Sequence, residues 1–123
     1  MYQVSVRRHF DAAHALRGYK GKCENMHGHR YEVVVGCQLE HLDEIGLAVD
    51  YGDLKRALDE ILEQFDHHCL NDLALFAELN PSSENIARLT YEMMADALPE
   101  AGLVFVEVYE SPDAWVRYSP NPL

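Results

Sequence analysis

His27-Gly28-His29 sets two imidazoles two positions apart. On an extended chain that spacing puts both on one face, and the glycine between them leaves room for a ligand to approach. A third histidine ends the segment Phe10-Asp11-Ala12-Ala13-His14, just past a first predicted strand. If that strand pairs with the one after the doublet, His14 closes onto the same point. Three neutral imidazoles suit zinc (Zn2+), and three protein ligands leave a fourth tetrahedral position for water or substrate, as in a catalytic site. Taken singly, each histidine reads as an ordinary strand residue; a His-Gly-His beside a third candidate outweighs that reading.

Cys23 lies four residues before His27 in a polar loop, where Lys20 and Lys22 would favour its thiolate, so it is a candidate nucleophile or base. Cys37, on a presumed buried strand face, and Cys69 read instead as small apolar residues. Asp66-His67-His68 follows a helical stretch, and a carboxylate there could orient either histidine for proton transfer. The residues alone do not choose between His67 and His68, nor exclude histidines simply drawn to a helix C-terminus. Glu110 follows Val104, Val106 and Val108 on one strand face, where an ionised carboxylate needs a partner such as a ligand with paired N–H donors. Glu107, on the opposite face, is the weaker candidate.

The elements that must position these groups follow from periodicity. Residues 2–10 (Val4, Val6, Phe10) and 30–40 (Tyr31, Val33, Val35, Cys37, Leu39) alternate as strands with one buried face, joined by a long loop rich in glycine and cations. Asp50 precedes a 3.6-residue pattern from about Tyr51 to Asp66. Asn80-Pro81-Ser82-Ser83 opens a second helix that ends near Pro99 and Gly102. Leu103 to Glu110 and Ala114 to Tyr118 flank Ser111-Pro112-Asp113 as a hairpin. The order ββααββ predicts an α+β domain spanning 1–123, with two helices on one side of a four-stranded, mainly antiparallel sheet whose edges invite oligomerisation.

Composition narrows the partners. A formal net charge of −11 argues against nucleic acid, and any phosphorylated ligand must be met by a local cluster of cations. Three irregularly spaced cysteines point to a reducing compartment, and neither signal peptide nor membrane anchor is apparent, which makes the cytoplasm the expected location.

Assembled in order, Phe10-Asp11-Ala12-Ala13-His14, Cys23-Glu24-Asn25-Met26-His27-Gly28-His29, Asp66-His67-His68-Cys69-Leu70-Asn71, Asn80-Pro81-Ser82-Ser83-Glu84-Asn85 and Val108-Tyr109-Glu110-Ser111 resemble the 6-pyruvoyl-tetrahydropterin and 6-carboxy-tetrahydropterin synthase family over nearly the whole chain. The resemblance implies zinc on His14, His27 and His29, proton abstraction by Cys23, an Asp66–His67 partner pair and a pterin ring anchored by Glu110. It also implies the tunnelling fold, in which subunits join their sheets into a barrel as two stacked trimers (a homohexamer), with sites between subunits. The short spacing from Cys23 to His27 looks like the carboxy branch, which acts on 7,8-dihydroneopterin triphosphate in queuosine precursor synthesis. Glu24 resembles a subgroup that cleaves the same substrate to 6-hydroxymethyl-7,8-dihydropterin. Arg17, Lys20 and Lys22 become candidates for the triphosphate. A non-catalytic pterin- or metal-binding module is the alternative from another class.

Overall fold

The computed structural model describes residues 1–18 and 25–122. Strands β1 (Tyr2–His14) and β2 (His27–Leu39) pair antiparallel along their whole length, from Tyr2 opposite Leu39 to His14 opposite His27. Both run further toward the connecting loop than the apolar alternation predicts. The alternation fails where His14, His27 and His29 take the core-face positions, but backbone pairing needs no apolar side chain and continues. His14 is therefore the last residue of β1 and does not lie beyond it.

Helix α1 (Tyr51–Leu62) starts as expected, with the Asp50 carboxylate accepting from the Gly52 N–H at 2.7 Å, but ends four residues before Asp66. The following turns lead into β3, only His68–Cys69, which pairs parallel with Ala12 and Ala13 of β1. Helix α2 (Ser83–Ala97) is capped by Ser82, whose hydroxyl accepts from the Asn85 N–H. Strands β4 (Leu103–Ser111) and β5 (Ala114–Tyr118) form the predicted hairpin. The sheet is five-stranded, in the order β3-β1-β2-β4-β5, and not four-stranded as expected. A two-residue strand carries no periodicity, so nothing in the sequence announces β3.

Alternate residues of the central strands (Phe10 and Ala12, Tyr31, Val33, Val35 and Cys37, Val106 and Val108) are buried beneath Leu54, Leu58 and Ile61 of α1 and Ile86, Ala87 and Met94 of α2. Phe10 stacks on Tyr31 directly across the ladder, with ring centroids 4.8 Å apart. Burial pushes the Cys37 thiol up to about 11, so it stays protonated and packs as an apolar side chain. Among the described residues the other face of the sheet carries no helix. Three cross-strand ion pairs cover part of it: Arg7–Glu32 at 2.9 Å, Arg30–Asp11 at 3.1 Å and Arg117–Glu107 at 3.0 Å. On that face the Phe105 ring lies over Gly36, where any Cβ would strike it, and the Arg117 guanidinium lies over the same ring. Among the described residues no helix is long and apolar enough to cross a membrane.

Candidate metal centre

The β1–β2 register builds the three-histidine cluster. His14 stands opposite His27, and His29 follows two residues along the same face of β2. Ring centroids lie 4.6 Å apart for His14 and His27, 4.6 Å for His27 and His29, and 5.3 Å for His14 and His29. The Nδ1 of His14 lies 2.7 Å from the Pro81 carbonyl and the Nδ1 of His27 lies 2.7 Å from the Asn25 carbonyl. A carbonyl only accepts, so in both rings Nδ1 carries the proton and Nε2 presents its lone pair. Those two Nε2 atoms are 3.1 Å apart. With no proton to share, the contact is repulsive unless a cation lies between them.

His29 completes the test. Its Nε2 is buried with no hydrogen-bond partner among the described residues, a costly arrangement for a polar atom unless it is a ligand. Burial holds its pKa below the usual histidine value, with the neighbouring imidazoles adding to the effect against the opposing pull of Glu110. The ring is thus neutral and free to donate. Nitrogens bound to zinc at about 2.0–2.1 Å in a tetrahedron stand roughly 3.3 Å apart, close to the separation observed. Backbone carbonyls orienting the far ring nitrogens are the usual outer support of such a site. The donor set fits a metal ion.

Glu110 reaches this cluster from the end of β4, with Oε1 3.8 Å from His14 Nε2, and accepts a 2.9 Å hydrogen bond from the Ser83 hydroxyl at the start of α2. Glu110 and Ser83 line a cavity of about 190 Å³ with Glu84, Ala114, Trp115 and Val116. The carboxylate therefore borders a surface cavity on one side and the histidine cluster on the other. Glu107 points to the open face, under Arg117.

The two candidate histidines differ in their partners. His67 Nδ1 is 3.0 Å from Asp66 Oδ2, whereas His68 enters β3 and directs Nδ1 to the Asp66 carbonyl at 2.7 Å. The other Asp66 oxygen accepts the Asp11 N–H at 2.9 Å, and that bond, seconded by His67, holds its carboxyl below the usual range. His67 has φ +60°, in the left-handed region, and its side chain is 78% exposed. The pair sits at the outer edge of β1, apart from the three-histidine cluster in the same chain.

Cys23, Glu24, Lys20 and Lys22 lie outside the described residues. Arg17, expected among the triphosphate cations, donates to the carbonyls of Phe76, Leu79 and Asn71. Two asparagines grip the chain leaving β1: Asn71 accepts from and donates to the backbone of Ala15, and Asn80 does the same at Arg17. The sequence marks Asn71, Asn80 and Ser83 only as members of longer segments and gives none of them these contacts, because each works through a partner remote in sequence.

The profile of a family described as 6-pyruvoyl tetrahydropterin synthase matches residues 3–121. A putative 6-carboxy-5,6,7,8-tetrahydropterin synthase of Archaeoglobus fulgidus is 35% identical over 116 residues, covering 93% of this chain and 92% of the relative. The 6-pyruvoyl tetrahydrobiopterin synthase of Homo sapiens is 34% identical over 130 residues, covering 94% and 90%. The solved structure of a Caenorhabditis elegans 6-pyruvoyl tetrahydropterin synthase superposes with a TM-score of 0.86 at 28% identity, covering 98% of both chains. With the whole fold and the whole sequence matched at once, the chain belongs to the 6-pyruvoyl tetrahydropterin synthase family.

Proposed function

We propose that the protein is a zinc-dependent lyase, a 6-carboxy-5,6,7,8-tetrahydropterin synthase. It takes 7,8-dihydroneopterin triphosphate and water to 6-carboxy-5,6,7,8-tetrahydropterin, acetaldehyde and triphosphate, on the route to queuosine. The observation that carries this reading is the convergence of His14, His27 and His29 beside Glu110, which joins a metal donor set to a carboxylate facing a cavity. Relatives named for the carboxy and the pyruvoyl product match about equally well, so the branch rests on the three-residue spacing between Cys23 and His27.

The zinc ion, when bound, supplies Lewis-acid polarisation of the substrate side-chain oxygens. Glu110, which lines the cavity, accepts the paired N–H donors of the pterin ring and fixes its orientation. Cys23 removes a side-chain proton, and His67, oriented by Asp66, exchanges a proton at Nε2. Because Asp66–His67 stands apart from the histidine cluster of its own chain, this division of labour calls for a second copy to complete the site, as in two stacked trimers. Lys20 and Lys22 meet the triphosphate.

Incubation of the zinc-loaded protein with 7,8-dihydroneopterin triphosphate, followed by mass spectrometry, tests the reading. 6-Carboxy-tetrahydropterin is the expected product, and its absence overturns the assignment. Glu24, next to Cys23, favours a second reading: cleavage to 6-hydroxymethyl-7,8-dihydropterin, alone or alongside the first reaction. A hydroxymethyl product lost in Glu24→Ala supports it, and an unchanged yield removes it.

A further inference from the structure

Asp11 grips the Asp66–His67 pair with its backbone and is itself gripped by its side chain. Its N–H donates to Asp66 Oδ1 at 2.9 Å, and its carbonyl accepts the His67 N–H at 2.6 Å. Its carboxylate receives both Nε (3.1 Å) and Nη2 (3.3 Å) of Arg30, the residue directly across the ladder. Ligand atoms of Asp11, Asp66 and His67 lie within 4.8 Å of one another, a spacing open to a metal ion. Arg30, however, already engages both Asp11 oxygens, and the backbone engages one Asp66 oxygen. The cation of this cluster is Arg30 itself.

We propose that Arg30, acting through Asp11, is a positioning residue for the Asp66–His67 pair, holding β1 in place beneath it and neutralising one of the two carboxylates that His67 faces. The proposal rests on the role given above to Asp66 and His67. Two carboxylates and one guanidinium leave a single negative charge to match an imidazolium; without Arg30 there are two. The second carboxylate then faces the imidazole uncompensated. His9 on β1, His68 after the pair, Arg56, Asp59 and Glu60 along α1 and Glu63 just past it also surround this edge, with Asp59 already met by Arg8. These groups are common to every variant below, so differences between variants isolate the Asp11–Arg30 contribution.

The Arg30 side chain is 62% exposed, so its replacement opens no cavity. The test is a titration of the full-length, zinc-loaded protein by NMR with labelled histidine rings, in wild type, R30Q, R30K and D11N/R30Q, with His67 assigned through H67N. The His67 midpoint rises in R30Q and returns to the wild-type value in R30K and in the double variant. The acid limb of the kcat profile follows it, while zinc content stays equal, showing His29 undisturbed. An unmoved midpoint in R30Q, or no return in D11N/R30Q, overturns the proposal. The midpoint is read without turnover, so a protein that shows the shift but makes no pterin product refutes the proposed reaction and leaves the positioning role standing.

Discussion

Among single residues, His29 carries the clearest obligation, because its buried Nε2 has no described protein partner. His29→Ala should lower zinc affinity by at least about 100-fold, measured by chelator competition, since even outer supporting groups contribute about 10–100-fold. The pH dependence follows from signs. The folded His29 pKa lies below its unfolded value, so folding favours the neutral ring. Its contribution is present above about 6.5 and is lost as pH falls through the folded value. Zinc retention after dialysis at stepped pH should therefore fall on the acid side of neutrality. Asp11, held down by Arg30, and Asp66, held down by the Asp11 N–H, act lower: their contribution is present above about 3.9 and is lost as pH falls through their lowered values. Asp66→Asn should keep its zinc and lose about 10²–10⁴ in kcat, a separation seen by metal analysis beside steady-state rates.

At the level of elements, the sequence made the helices, the hairpin and the core stripe legible, because those depend on period and caps that neighbouring residues display. Asp50, Ser82 and the 2- and 3.6-residue patterns did that work. The doublet His27-Gly28-His29 was equally plain, since its geometry is local once the strand is known. What escaped was non-local or too short to have a pattern: β3, the asparagine grips at Ala15 and Arg17, and the Ser83 contact to Glu110. The Arg17 contacts escaped for a related reason, as charge alone does not reveal which backbone carbonyls a guanidinium meets. These contacts predict measurable costs. Asn71→Ala removes both partners of the Ala15 backbone groups and should destabilise the protein by about 1–3 kcal/mol in urea unfolding. Gly36→Ala should cost a similar amount, about 1–3 kcal/mol, by driving the Phe105 ring off the sheet.

For the molecule as a whole, charge and edges pull in opposite directions. The outer edge of β1 before Ala12 has no strand beside it among the described residues, and β5 is the last strand at the other side of the sheet, which invites pairing between copies. A net charge of −11 per chain opposes it. The open sheet face escapes that imbalance, because Arg7, Arg30 and Arg117 answer Glu32, Asp11 and Glu107 one for one. Association should therefore strengthen when salt screens the remaining repulsion. Light scattering across a NaCl series should give a mass of several chains, persisting to lower protein concentration at about 0.3 M than at 0.02 M salt.

His67 holds a left-handed backbone conformation that glycine or asparagine adopts at less cost than histidine. A directed-evolution campaign selecting only for heat resistance would therefore be drawn to replace it, and would collect hardier proteins without the proposed proton carrier. At this position selection for durability and selection for the proposed chemistry diverge.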